Sequence, residues 1–105
     1  MTHRFACRAE GWQHFRSAGW GPCRRSIEVG DDQLATRQID LYDCGEVRTY
    51  DRTRARDEDG MLIGLRFSLK PKWRAHFTDV EELTEAEFER EWRRAVQVPG
   101  DSRRS

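Results

Sequence analysis

The side chains of this chain best suited to covalent or metal chemistry are Cys7, Cys23 and Cys44 together with His3, His14 and His76. Structural zinc sites bring their ligands in close pairs, such as two cysteines separated by two to four residues, and no such pair occurs here. Cys44 and His76 are a formal nucleophile and base, yet neither stands in a nucleophile motif. The residue types fit a small core cysteine at Cys7, a strand residue at Cys23 and a solvent-exposed turn thiol at Cys44. Carboxylates are plentiful in two runs, Asp57-Glu58-Asp59 and Asp79 to Glu91, where they read as solvated loop and helix positions. Gly19-Trp20-Gly21-Pro22 neither follows a strand nor opens a helix, as a phosphate-binding loop must. The sequence therefore predicts no catalytic residue, no metal and no cofactor, and the chain reads more readily as a binding protein than as an enzyme.

Charge patterning is what remains. Arg48, Arg52, Arg54 and Arg56 surround Tyr50 in a basic aromatic stretch, whereas Asp79 to Glu91 holds seven acids against one base, Arg90. Such a split can steer a charged partner to one side of a molecule whose formal net charge is zero.

The elements that position these groups are legible in part. Thr84 can N-cap a helix in a capping box with Glu87, and Leu83 can staple onto Phe88. Phe88, Trp92 and Ala95 then form one apolar stripe at i, i+4 and i+7, predicting a helix from Glu85 to about Val96. Glu85 and Glu87 in the first turn and Arg93 and Arg94 near the last suit the helix dipole, with Glu89 pairing to Arg93. This geometry turns Glu82, Glu85 and Glu89 outward. Upstream, Leu34 to Arg52 reads as a hairpin. A three-residue loop with Gly45 in the left-handed position places Leu41 opposite Val47, Ile39 opposite Thr49 and Asp40 opposite Arg48. It gathers Asp40, Tyr42, Arg48, Tyr50 and Arg52 on what is expected to be the outward face. A strand around Phe5, Cys7 and Ala9, another over residues 23–30, an apolar run at Met61–Phe67 that is short enough for a strand but whose Gly64 argues for a bulge or an irregular segment lying on the core, and an extended stretch from Trp73 to Glu82 complete the pattern. The expected fold is α+β: an antiparallel sheet of about four or five strands with one C-terminal helix packed on a face. Residues 1–98 make one domain, and residues 99–105 have nothing to bury and read as a disordered tail.

Size and composition agree. At 105 residues there is room for one core, and with 36% apolar and 36% charged residues that core must rest on a few large side chains. Four tryptophans serve as core filling or as partner anchors. The neutral balance, with a pI of about 6.8, lacks the electrostatic footprint of a nucleic-acid binder. No stretch has the ~20 apolar residues of a membrane span, and the N-terminus lacks a signal peptide's apolar centre. Three cysteines without a disulfide pattern fit the cytoplasm.

The pattern Thr36-Arg37-Gln38-Ile39-Asp40-Leu41-Tyr42-Asp43-Cys44-Gly45-Glu46-Val47-Arg48-Thr49-Tyr50-Asp51-Arg52, followed by Asp57-Glu58-Asp59-Gly60-Met61-Leu62, Trp73 and Glu82 to Trp92, resembles a family of small bacterial proteins of unknown function, some encoded in polymorphic-toxin loci. The similarity spans roughly residues 26–96 and departs at Cys44, where Asp or Asn before the glycine is usual. What it implies is an immunity or antitoxin role: a non-enzymatic inhibitor that occludes a bacterial toxin. With Glu82, Glu85 and Glu89 as the contact, the partner would be a basic toxin domain. The alternatives are a small-molecule or nucleic-acid binding accessory domain using the Tyr42, Arg48, Tyr50 and Arg52 face, or a small biosynthetic enzyme.

Overall fold

A computed structural model of the chain describes residues 2–67, 75 and 77–97. Five strands, β1 (His3–Glu10), β2 (Pro22–Val29), β3 (Ala35–Tyr42), β4 (Val47–Asp51) and β5 (Thr78–Leu83), precede one helix, α1 (Glu85–Gln97). They form a single antiparallel sheet in the order β4-β3-β2-β1-β5, so the fold is α+β as expected. The tail expected at 99–105, and with it Trp73 and His76, lies outside the described residues.

The β3–β4 hairpin follows directly from its loop. Gly45 sits at φ +103°, a conformation that a β-carbon disfavours, and this lets the chain return with Leu41 opposite Val47, Ile39 opposite Thr49 and Asp40 opposite Arg48. The capping box also forms. The Glu87 carboxylate accepts from the Thr84 N–H at 2.8 Å, and Thr84 Oγ1 accepts from the Glu87 N–H at 3.1 Å. Thr84→Ala should therefore lower stability by about 1 kcal/mol, read as a lower urea midpoint at unchanged m-value. The apolar run Met61–Phe67 is not a strand. Met61 makes a lone bridge to Arg56, and beyond it the chain runs irregularly with Leu62, Ile63, Leu65 and Phe67 packed on the sheet.

Alternation along the strands assigns residues to two faces, and both faces are covered. On one, Phe5, Ile27, Val29 and Phe67 form the apolar core, capped by Leu62, Ile63 and Leu65 of the chain after β4. This same face continues across β3 and β4 through Gln38, Asp40, Tyr42, Arg48 and Tyr50, because Ile27 stands opposite Gln38 and Arg25 opposite Asp40. The residues expected to point outward are thus the deeper ones: Asp40 is 0% exposed, Tyr50 1% and Tyr42 2%, and Arg48 is buried. Of that proposed alternative face only Arg52 keeps a half-exposed side chain, and it is tied to Asp32.

The physical reason is a buried polar cluster. Arg25 donates twice to Asp40, at 2.7 and 3.2 Å, while Trp12 Nε1 donates to Asp40 at 3.0 Å and its ring lies 4.2 Å beneath the Arg25 guanidinium. Gln38 donates to Asp40 and to the Met61 carbonyl, and accepts from the Ile63 N–H at 2.8 Å. Arg48 and Arg16 share Asp59, each at 2.7 Å, and Tyr50 donates to Asp57 at 3.0 Å. Each of these side chains meets a partner, so the loops can close over a face whose sequence pattern looks solvated. Gly60 permits that closure, since a β-carbon there would stand 2.6 Å from Trp12 Cδ1.

Candidate functional site

Helix α1 covers the opposite face, held by an apolar stripe and by ion pairs to the sheet. Phe88 is fully buried and packs with Ile39, Leu83 and Ala95, whereas Trp92 is only half-buried and stacks on Phe88 at 6.4 Å between ring centroids. Beneath these two rings lies Arg37 of β3, with its guanidinium carbon 5.1 Å from each. Arg37 also binds Glu89 and Glu28. Two residues after Glu89, Glu91 accepts from Ser26 at 2.7 Å and from Arg24 at 2.8 Å.

These contacts consume most of the acidic run. Glu81 pairs with Arg24 at 3.1 Å, Glu87 caps the helix, Glu89 binds Arg37, and Glu91 binds Arg24 and Ser26. Of the three residues expected to form a partner face, Glu82 and Glu85 are exposed, with Arg4 Nη2 4.0 Å from Glu85. Glu89 is not available: it turns to the sheet and to Arg37 rather than outward and to Arg93. Arg37 occupies the helix-facing side of β3, where its half-buried guanidinium is held by Glu89 and Glu28, and that cross-layer pairing outweighs a solvent-exposed i, i+4 pair.

The most deeply engaged carboxylate of this layer is Glu28, which receives hydrogen bonds from Arg37, Thr36 and Arg4. Chiefly through the Arg37 bonds, its pKa is held down at about 2 against an ordinary 4.5. Its stabilisation is therefore fully present above pH 4.5 and is lost as the pH falls from there through about 2. Melting temperature should drop across that acid window in the parent protein, and less steeply in Glu28→Gln.

Towards the C-terminal half of α1 the cover is incomplete. A groove of about 360 Å³ opens there, with Ile39, Leu41, Val47 and Ala95 forming an apolar floor and Arg24, Ser26, Glu91 and Arg94 the rim. It adjoins a smaller recess of about 130 Å³ lined by Val47, Arg48, Thr49, Arg54, Ala95 and Val96. Leu41, 44% exposed, and Val96, 51% exposed, are the exposed large hydrophobic side chains among the described residues. Nothing in the helical or strand periodicity marks this place. The 2-residue period puts Leu41 and Val47 on the helix side, but how far the helix extends across them is a matter of layer geometry.

Two of the three cysteines, Cys7 and Cys23, are buried in the sheet. Burial raises the Cys7 thiol to about 11 and the Cys23 thiol to about 12, which keeps both protonated, while Cys44 is exposed in the hairpin turn. Among the described residues no group of three or more His, Cys, Asp or Glu side chains could hold a metal ion. No helix among them is long and apolar enough to cross a membrane. Compared with protein-family models, with curated proteins and with solved structures, the chain matches none.

Proposed function

We propose that the protein is a non-catalytic binding protein that docks a partner protein in the groove between α1 and the β2–β4 part of the sheet. The observation that carries this reading is the groove itself: an apolar floor left open beside Leu41 and Val96 in a molecule that otherwise covers both sheet faces. A concave apolar site with a few polar groups at its rim is where binding energy is available. The buried and half-buried carboxylates and guanidiniums pair with one another, within the sheet and, through Arg37 and Glu89, across to the helix, which fits a rigid binding scaffold. A rigid scaffold that occludes its partner is also what an immunity-type inhibitor of a bacterial toxin requires, and that role is the biological setting we assign to it.

Capture from lysate of the source cells tests the reading. A partner retained by the parent protein should be lost with Leu41→Asp, whose melting temperature should stay within a few degrees because the side chain is substantially exposed. Retention by that variant would remove the groove from the interface. Glu82 and Glu85 favour a second reading, contact with a basic toxin domain through the β5–α1 junction, because both remain exposed. Under that reading a Glu82→Lys, Glu85→Lys pair, rather than Leu41→Asp, abolishes capture.

A further inference from the structure

We propose that the groove selects an acidic partner segment, one that seats an aliphatic or aromatic side chain on Ile39, Leu41 and Val47 and presents flanking carboxylates to Arg94 and Arg54. This rests on the groove being the docking site, and it names the chemistry of what docks.

The guanidiniums around the groove are not equivalent. Arg24 is ion-paired to both Glu81 and Glu91, and Arg48 to both Glu46 and Asp59. Arg94 is exposed and has no hydrogen bond or ion pair with another described residue. Arg54 is 62% exposed at its side chain, and its guanidinium makes a single long ion pair, to Asp57 at 3.8 Å. Arg94 lines the larger cavity and Arg54 the smaller, and the two cavities share Val47 and Ala95, so the two loosely held cations flank one apolar strip. The carboxylate at that strip, Glu91, is already engaged by Arg24 and Ser26. A molecule whose net charge is zero therefore presents locally uncompensated positive charge beside an apolar floor.

That combination decides the sign of the partner. A basic segment would bring its cations against Arg94 and Arg54 with no spare carboxylate to receive them, whereas an acidic one is steered in and oriented by both. It also argues for a protein segment over a nucleic acid, because the floor is aliphatic and offers no aromatic platform on which bases could stack. The apolar side chain supplies affinity by burial, and the two arginines supply specificity and register.

The experiment is selection of a displayed random-peptide library on the whole protein, with counter-selection on Leu41→Asp. Enriched sequences should pair an aliphatic or aromatic residue with adjacent Asp or Glu. A synthetic peptide of the consensus should bind an Arg54→Glu, Arg94→Glu double variant about tenfold more weakly than the parent. The same peptide with its acids changed to Lys should show the reverse preference. Enrichment of basic or uncharged sequences, or an affinity that the double variant leaves unchanged, overturns the acidic assignment while the groove still stands as the docking site. No enrichment surviving counter-selection overturns the groove reading as well. Because Arg54 and Arg94 are both exposed, an unchanged melting temperature of the double variant separates lost binding from lost folding.

Discussion

Asp40→Ala is expected to lower the stability of this protein by about 3–5 kcal/mol, the cost of removing one partner from a buried ion pair. Asp40 is 0% exposed, and its loss strands three donors at once: the Arg25 guanidinium, the Trp12 indole N–H and the Gln38 amide. Arg25, itself 5% exposed, cannot recover solvation without opening the β1–β2 loop that holds Trp12 over it. For a domain of marginal stability such a loss is a large share of the total. Urea unfolding should show a lower midpoint at unchanged m-value. Replacing both charges, Asp40→Leu with Arg25→Met, should recover much of the loss, because no uncompensated charge remains. A cost below about 1 kcal/mol for Asp40→Ala would mean that water reaches the cluster and that this face is not closed.

Phe88→Ala should be comparably severe, at about 3–5 kcal/mol, because a fully buried ring is deleted from the contact between α1 and the sheet. The sequence stripe treats Phe88 and Trp92 alike, but the structure separates them. Trp92 is half-buried, so Trp92→Ala should cost less, roughly 2 kcal/mol, shared between lost burial and its contact with the Arg37 guanidinium. Thermal melts of the two variants decide the order. Equal losses would mean that Trp92 is as deeply buried as Phe88 and that the helix lies closer to the sheet along this stripe.

The sequence made some of this readable. The capping box at Thr84 and Glu87 and the register of the β3–β4 hairpin are local devices, each fixed by a few residues whose geometry admits one answer. What could not be read was which sheet face is covered, and by what. Alternation places Asp40, Tyr42, Arg48 and Tyr50 together but gives no sign of burial, and their polarity argues for solvent until Arg25, Asp59 and Asp57 are seen to meet them. Those partners lie 7 to 15 residues away in sequence, and spacing alone does not bring them together. Tertiary pairing misled the reading of Glu89 in the same way, because Arg37 is 52 residues distant. The groove was invisible for a related reason. It exists where α1 stops short of covering Leu41 and Val47, a property of the packed layers rather than of any one segment.

Hydrogen–deuterium exchange of the captured complex tests the docking surface directly, since it maps which backbone amides a partner protects. Binding in the groove predicts new protection in residues 39–42, 47–51 and 91–97, with 78–85 exchanging as in the free protein. Protection confined to 78–85, with the groove segments unchanged, would contradict it and place the partner on the acidic β5–α1 junction.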